Sequence, residues 1–308
     1  MKHRIDPTID CVFKQLLGTP QNRNLLISFI NAFLESELEH PITDVDILNP
    51  YNEKEFTNDK LSIVDVKAMD DKGCTFQIEV QVDVFSSLPA RMLYTWSDIY
   101  SKQIQSGDSY HELRPTYSIW LLNKSLVRDE RYIRSYHMQD DRGNDLVHHG
   151  GIWLLELGKF SVGSISNEKD RWLAFFKQGE MLDDSELPSW MNTDNMRQAM
   201  KTLRQFSEKQ KQYDIYQARQ NYLRVQNSIN RDKEDALKAK EEALKNKDEA
   251  LKAKEEALKA KDEALKGLAN ALQREEIERK EKELERQEKE SALHEIARLK
   301  EQLSKQSQ

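Results

Sequence analysis

Apolar positions recur at two different spacings along the first 230 residues. Leu25, Leu26, Phe29, Ile30, Phe33 and Leu34 fall three and four apart, which lines one side of an α-helix. A shorter helix is predicted before it. Asp6 supplies an acidic N-cap, Pro7 takes the first helical position, and Gly18 ends the segment. Thr19-Pro20 repeats the start signal. After Pro41 the spacing becomes that of strands. Runs over 42–48, 61–69 and 74–84 read as strands, with a polar stretch over 49–59 between the first two. Ser87-Leu88-Pro89 then opens a helix predicted to reach about residue 106, with Leu93, Trp96, Tyr100 and Ile104 as its apolar face and Gly107 as its stop. The run 117–122 has a buried-strand pattern, and further strands are expected near 132–138 and 152–157. Helical segments follow over 168–177 and from Thr193 onward. Strands flanked on both sides by helical segments predict a mixed α/β sandwich.

From residue 231 the pattern is a repeat of seven. Ala236-Leu237-Lys238-Ala239-Lys240-Glu241-Glu242 recurs from Ala243, Ala250 and Ala257, and leucines at 237, 244, 251, 258, 265 and 272 mark one stripe. Glu241→Lys245, Asp248→Lys252, Glu255→Lys259 and Asp262→Lys266 are acid-to-base pairs at i,i+4, each adding about 0.2–0.5 kcal/mol to a helix. One leucine per heptad, accompanied by alanine, makes a thin seam. A marginal coiled coil and a solvated single helix both satisfy this pattern. The coiled coil implies a weak homo-oligomer.

Composition sharpens the division. All 25 Phe, Trp and Tyr residues and all 7 prolines precede residue 231, whereas residues 231–308 carry 20 Lys and Arg against 21 Asp and Glu. A globular domain over 1–230 and a charged helical tail over 231–308 are therefore expected. No apolar run is long enough to span a membrane, and the basic N-terminus is not followed by the apolar stretch of a secretory signal. Two cysteines, Cys11 and Cys74, are too few for a disulfide scaffold, so reduced thiols in a cytoplasmic protein are expected. The net charge of −7 argues against a protein that coats DNA. It leaves room for a nuclease, whose chemistry needs carboxylates.

The hairpin formed by the second and third strands carries the strongest chemical signal. Asp65 shares a face with Ile63 and Lys67, and Glu79 shares one with Gln77 and Gln81, while Val64, Val66 and Ala68 face the same side as Phe76, Ile78 and Val80. Making the apolar faces coincide fixes the register. Asp65 then stands opposite Glu79, Asp70 opposite Cys74, and Asp71-Lys72-Gly73 forms a three-residue loop with Gly at its left-handed position. Two carboxylates directly across a strand pair have Cβ atoms about 5 Å apart. A proton or a cation must relieve their repulsion. A hard divalent ion such as Mg²⁺ (or Mn²⁺) fits two oxygen donors; Lys67 on the same face is the alternative source of positive charge.

With Gln81 two residues beyond Glu79, the set Asp65…Glu79-Val80-Gln81 resembles the Asp…Glu-x-Lys signature of PD-(D/E)xK nucleases, with Gln in the Lys place. That form is similar to the Rpn-like recombination-promoting nucleases and the PD-(D/E)xK nuclease family transposases. Asp6-Pro7 with Asp10, Phe13-Lys14 and the Leu-rich helix to Leu34 resemble the same family, as do Asp59-Lys60-Leu61-Ser62, Arg91 with Tyr94, Gly107 with Tyr110, and Glu156-Leu157-Gly158-Lys159-Phe160. The likeness spans about residues 1–230 and leaves the repeats outside. It implies an α/β core of helix, three strands, helix and strand, of restriction-endonuclease type, followed here by the long charged helix. It also implies a Mg²⁺-dependent endonuclease acting on DNA. Carried over, Asp65 and Glu79 are metal ligands with the carbonyl of Val80 as a third, and Gln81 orients the attacking water or touches the scissile phosphate. Asp10 is a further acid for the metal; Lys14 and Arg91 are candidate phosphate contacts.

Other candidates have bland readings. His148-His149 beside Gly150-Gly151 reads as an exposed loop. Tyr94, Trp96 and Tyr100 sit at helical spacing and read as packing before nucleic-acid contacts. The balanced tail is no DNA-binding arm. A neutral Gln81 also keeps open a second function: a catalytically silent relative acting as an interaction protein through its heptads.

Overall fold

The computed structural model describes residues 2–48, 64–163, 165–183 and 186–306. The predicted strand start at 61–63 and the segment Asp59-Lys60-Leu61-Ser62 lie outside them. A six-stranded mixed sheet runs in the order β1-β2-β3-β4-β6-β5. Its strands are β1 (Asp46–Ile47), β2 (Val66–Met69), β3 (Thr75–Gln81), β4 (Thr116–Leu122), β5 (Ile133–Tyr136) and β6 (Gly150–Glu156). β3, β4 and β6 pair in parallel; the β1–β2, β2–β3 and β5–β6 pairs are antiparallel. Helix α3 (Leu88–Ser101) makes the crossover between β3 and β4.

Successive strand residues point to opposite faces, and this sorts the core into two parts. Phe76, Ile78 and Val80 of β3, with Ile119 and Leu121 of β4, pack beneath α1 (Asp10–Leu17), α2 (Arg23–Leu34), α4 (Glu168–Gln178) and α5 (Asp194–Glu208) in one large apolar cluster. The opposite face carries a smaller cluster of Leu88, Met92, Trp120, Leu122 and Leu154 under α3. Gln77, Glu79 and Gln81 belong to that second face, beside α3. At the far end of β6 the fully buried Glu156 accepts hydrogen bonds from the amides of Leu126 and Val127 and pairs with Arg134 and Lys159, both at about 2.6–2.7 Å. Burial alone would raise its pKa, but Lys159 and the two amides hold it below the ordinary carboxylate value. In this fold Glu156 anchors the sheet.

Several elements differ from the sequence reading. Asp6 does not cap α1. Its carboxylate accepts from the amide and hydroxyl of Thr8, closing a turn, and the helix begins only at Asp10. The local side-chain bond wins over helix initiation at Pro7. After Thr19-Pro20 the chain makes a 3₁₀ turn before α2 starts at Arg23. The strand expected over 42–48 contracts to two residues. Helix α3 stops at Ser101, and Gly107, at φ +101°, sits in a later turn. Its buried face is Leu88, Met92, Thr95 and Ile99, while Leu93 is 55% exposed and Trp96 and Tyr100 lie half-buried beside it. Trp96 stacks on Tyr100, and the Tyr100 hydroxyl is 2.7 Å from His149 Nδ1.

The chain divides into two compact units, Met1–Val225 and Gln226–Gln308. One helix, α6 (Gln210–Gln306), begins in the first. There Tyr216 is buried and its hydroxyl accepts from the Asp6 amide. The second unit is helix throughout its described residues, with the leucine stripe of the repeats 50–61% exposed in the single chain. Ion pairs at i,i+4 close at Glu276–Lys280, Glu278–Lys282, Glu285–Lys289 and Arg286–Glu290, and not at the four predicted positions in the repeats. At full exposure, water competes for both charges and side-chain entropy opposes holding them together. No helix among the described residues is long and apolar enough to cross a membrane.

Candidate active site

The β2–β3 register pairs Met69 with Thr75, Ala68 with Phe76, Lys67 with Gln77 and Val66 with Ile78. One step further puts Asp65 opposite Glu79, as the coincidence of apolar faces requires. The turn that sets this register has Gly73 at φ +82° and the Asp70 carboxylate accepting from the amides of Lys72 and Cys74. A side chain in the Gly73 place would be strained in that left-handed conformation.

Asp65 ends the strand pairing with its own side chain. Oδ2 accepts a 3.0 Å hydrogen bond from the Val80 amide, where the next main-chain carbonyl of β2 would otherwise sit. Oδ1 pairs with Lys14 Nζ of α1 at 3.2 Å. In an extended strand the N–H and C=O of one residue point to the same edge, so the Val80 carbonyl faces the Asp65 side. Glu79 is 3% exposed. Its Oε2 lies 3.5 Å from Arg91 Nη2, while its Oε1 is buried with no hydrogen-bond partner among the described residues. Arg91, in the first turn of α3, also donates from Nη1 to Gln81 Oε1 at 3.2 Å, and its guanidinium lies over the Trp120 ring. Arg91 donates only, so it fixes Gln81 with its oxygen toward α3 and its amide nitrogen turned away.

Asp10 is the first residue of α1. It accepts from its neighbour Cys11 and from Arg219 Nε of α6, the latter at 3.0 Å. Its charge still reaches Asp65 and helps raise that group's pKa. The Asp65 carboxyl is raised first by burial, against the Val80 amide and Lys14. Glu79 is pushed up to about 8, by burial and then by the charge of Asp65, against Arg91 and the Gln77 amide. The two largely shielded acids therefore resist carrying two negative charges together.

A hard divalent cation suits this arrangement. Two carboxylates and one carbonyl are oxygen donors, and Glu79 Oε1 is a buried acceptor lacking a donor among the described residues, although Lys14 and Arg91 each pair with one of the acids. Among the described residues no group of three or more His, Cys, Asp or Glu side chains is placed to hold a metal ion.

The structure thus brings Asp65, Glu79, Val80, Gln81, Lys14 and Arg91 to one end of the β2–β3 hairpin. Asp10 stands nearby, engaged by Arg219. His148 is 75% exposed, 3.0 Å from Asp145, and away from this group. Sequence reasoning missed Arg219, which is 209 residues from Asp10 with no local pattern to mark it. It also passed over Gln77, although the alternation placed it on the Glu79 face.

A mixed sheet with a parallel β3–α3–β4 crossover, flanked by helices, is an α/β core with an acid pair at the end of β2 and β3. The family profile described as PD-(D/E)XK nuclease family transposase matches residues 7–233, and the chain belongs to that family. The match supports a nuclease or transposase-like role. Neither a curated protein nor a solved structure matches the chain.

Proposed function

We propose that this protein is a Mg²⁺- or Mn²⁺-dependent DNA endonuclease, hydrolysing phosphodiester bonds in a transposition or recombination-promoting role. The observation that carries this reading is the Asp65/Glu79 pair, Glu79 buried and Asp65 partly so, with a Glu79 oxygen that has no hydrogen-bond partner among the described residues. Asp65, Glu79 and the Val80 carbonyl hold the cation. When bound, it stabilises negative charge on a phosphoryl oxygen and makes a water more acidic. Gln81 offers its amide nitrogen to the water or the scissile phosphate, because Arg91 occupies its oxygen. Arg91 restores near the site the positive charge that Gln81 lacks in the usual Lys place. Lys14 holds Asp65 oriented and favours its charged form against burial, and Asp10 lends further negative potential. The protein acts in the cytoplasm, a compartment suited to its two unpaired cysteines.

The test is incubation of the purified chain with supercoiled plasmid, with Mg²⁺, with Mn²⁺ and with chelator. Metal-dependent nicking or linearisation is expected, and no cutting with either metal would reject the reading. The neutral Gln81 favours a second reading, a catalytically silent relative working through its heptads; that same negative result would select it.

Two further outcomes follow. Gln81→Ala should slow cleavage by about tenfold, the worth of one neutral hydrogen bond, while calorimetry finds Mg²⁺ binding intact. Lost binding would make Gln81 a metal ligand. A chain ending at Asn230 keeps Arg219 and Tyr216 and should keep nuclease activity. It should also lose any weak, concentration-dependent association made by the leucine stripe. Light scattering on both chains decides this, and identical oligomeric states across a wide concentration range would remove the association role from the tail.

A further inference from the structure

The face of β3 that carries Glu79 holds a buried chain of hydrogen bonds with a fixed direction. Trp120 Nε1 donates to Ser118 Oγ at 2.8 Å, and Ser118 Oγ donates to Gln77 Oε1 at 3.0 Å. Gln77, Ser118 and Trp120 are all fully buried. The direction follows from the donor inventory. Indole N–H can only donate, so the serine oxygen is the acceptor there and its one proton goes to Gln77. The oxygen of the Gln77 amide is thereby turned to Ser118, and its Nε2 points the other way. That nitrogen is buried without a hydrogen-bond partner among the described residues, and so is Glu79 Oε1. Side chains at i and i+2 of a strand lie side by side on one face. A donor and an acceptor with no closed hydrogen bond are thus neighbours, near enough for the Gln77 amide to favour the charged Glu79, and each is costly to leave alone.

We propose that Gln77 is a positioning residue for Glu79: its amide nitrogen, aimed by Trp120 through Ser118, steers the Glu79 carboxylate into the orientation that receives the cation. The inference rests on the metal-centre reading of the Asp65/Glu79 pair and goes beyond it in assigning a role to three residues outside the signature. If Ser118 loses its hydroxyl, the amide is free to turn its oxygen toward Glu79 and oppose it. Partners behind a metal ligand commonly affect affinity by about 10–100-fold when removed.

The experiment is Mn²⁺ titration of the full chain by calorimetry, with thermal unfolding of each variant as the fold control. Gln77→Met keeps the length of the side chain and removes the donor; Ser118→Ala removes the aim. Each should weaken Mn²⁺ binding about tenfold or more, and Ser118→Thr, which keeps a hydroxyl, should bind like wild type. A Gln77→Met protein that unfolds at a lower temperature yet binds Mn²⁺ with wild-type affinity overturns the proposal, leaving Gln77 a structural residue. Should that variant fail to fold, Ser118→Ala against Ser118→Thr decides, equal affinities in the two being the overturning result. Wild-type protein that binds no Mn²⁺ rejects the metal centre itself, and with it this role. That outcome is distinct from binding unchanged by the variants.

Discussion

Glu79→Gln and Asp65→Asn should each lower metal-dependent DNA cleavage by about a thousandfold or more, equivalent to roughly 4 kcal/mol of transition-state stabilisation. Among the described residues these two acids converge on the Val80 edge, whereas Asp10 is paired with Arg219. The amide variants are preferable to alanine because the two acids serve the fold differently. Asp65 accepts from the Val80 amide and pairs with Lys14. Asp65→Ala would leave that buried N–H unsatisfied, at a cost of about 1–3 kcal/mol, whereas Asp65→Asn retains an acceptor oxygen. Glu79→Gln keeps the volume of a side chain buried under α3 and removes only its charge. Plasmid nicking assays, with circular dichroism melts to show that both variants fold, provide the measurement. Two folded variants that cut at the wild-type rate would place the chemistry elsewhere in the molecule.

How far the site could be read from sequence depends on how local its determinants are. The hairpin was legible because period-two alternation on both strands leaves one register with a continuous apolar face, and Gly73 marks the loop length that this register needs. The core order of helix, three strands, helix and strand followed from the same alternation and from the family resemblance. Helix α3 was harder. It carries two adjacent stripes, Leu93-Trp96-Tyr100 and Met92-Thr95-Ile99, and large aromatics make the first look like the core. The second is buried because its smaller side chains let α3 lie close to Trp120 and Leu122. That rotation also brings Arg91 onto Glu79 and Gln81. Arg219 illustrates the opposite limit: its pairing with Asp10 is made by docking of α6 onto α1, which no nearby residue encodes. In the tail the heptad was evident. The closure of individual ion pairs was not, since exposed pairs are decided by small differences between solvation and side-chain entropy.

Metal-free protein should lose stability as the pH rises from about 5 to about 8, and Glu79→Gln should remove much of that loss. The Glu79 carboxyl has its pKa pushed up to about 8 in the fold, first by burial and then by Asp65, from an ordinary value of 4.5. Between those two values the folded chain keeps a proton that the unfolded chain has released. Stability falls with pH wherever the native state binds more protons than the unfolded one. Below about pH 4.5 both states are protonated and the site costs nothing. Above about 8 both are ionised and the full penalty is present, on the order of a few kcal/mol at one pKa unit per 1.36 kcal/mol. Asp65, raised for the same leading reason, acts in the same direction. Glu156, held low by Lys159 and two amides, acts oppositely, with its contribution lost as the pH falls through its folded pKa, so the wild-type profile alone mixes several groups. Comparison with Glu79→Gln isolates the one of interest. Urea unfolding in chelator should find the two proteins close in stability near pH 5 and the variant the more stable near pH 9. Adding Mg²⁺ should stabilise wild type most at the alkaline end, where the acids are already ionised and the ion displaces no proton. A stability difference between the two proteins that stays constant from pH 5 to 9 would mean that Glu79 ionises as an ordinary surface glutamate. The buried pair would then lack the electrostatic tension that calls for a cation.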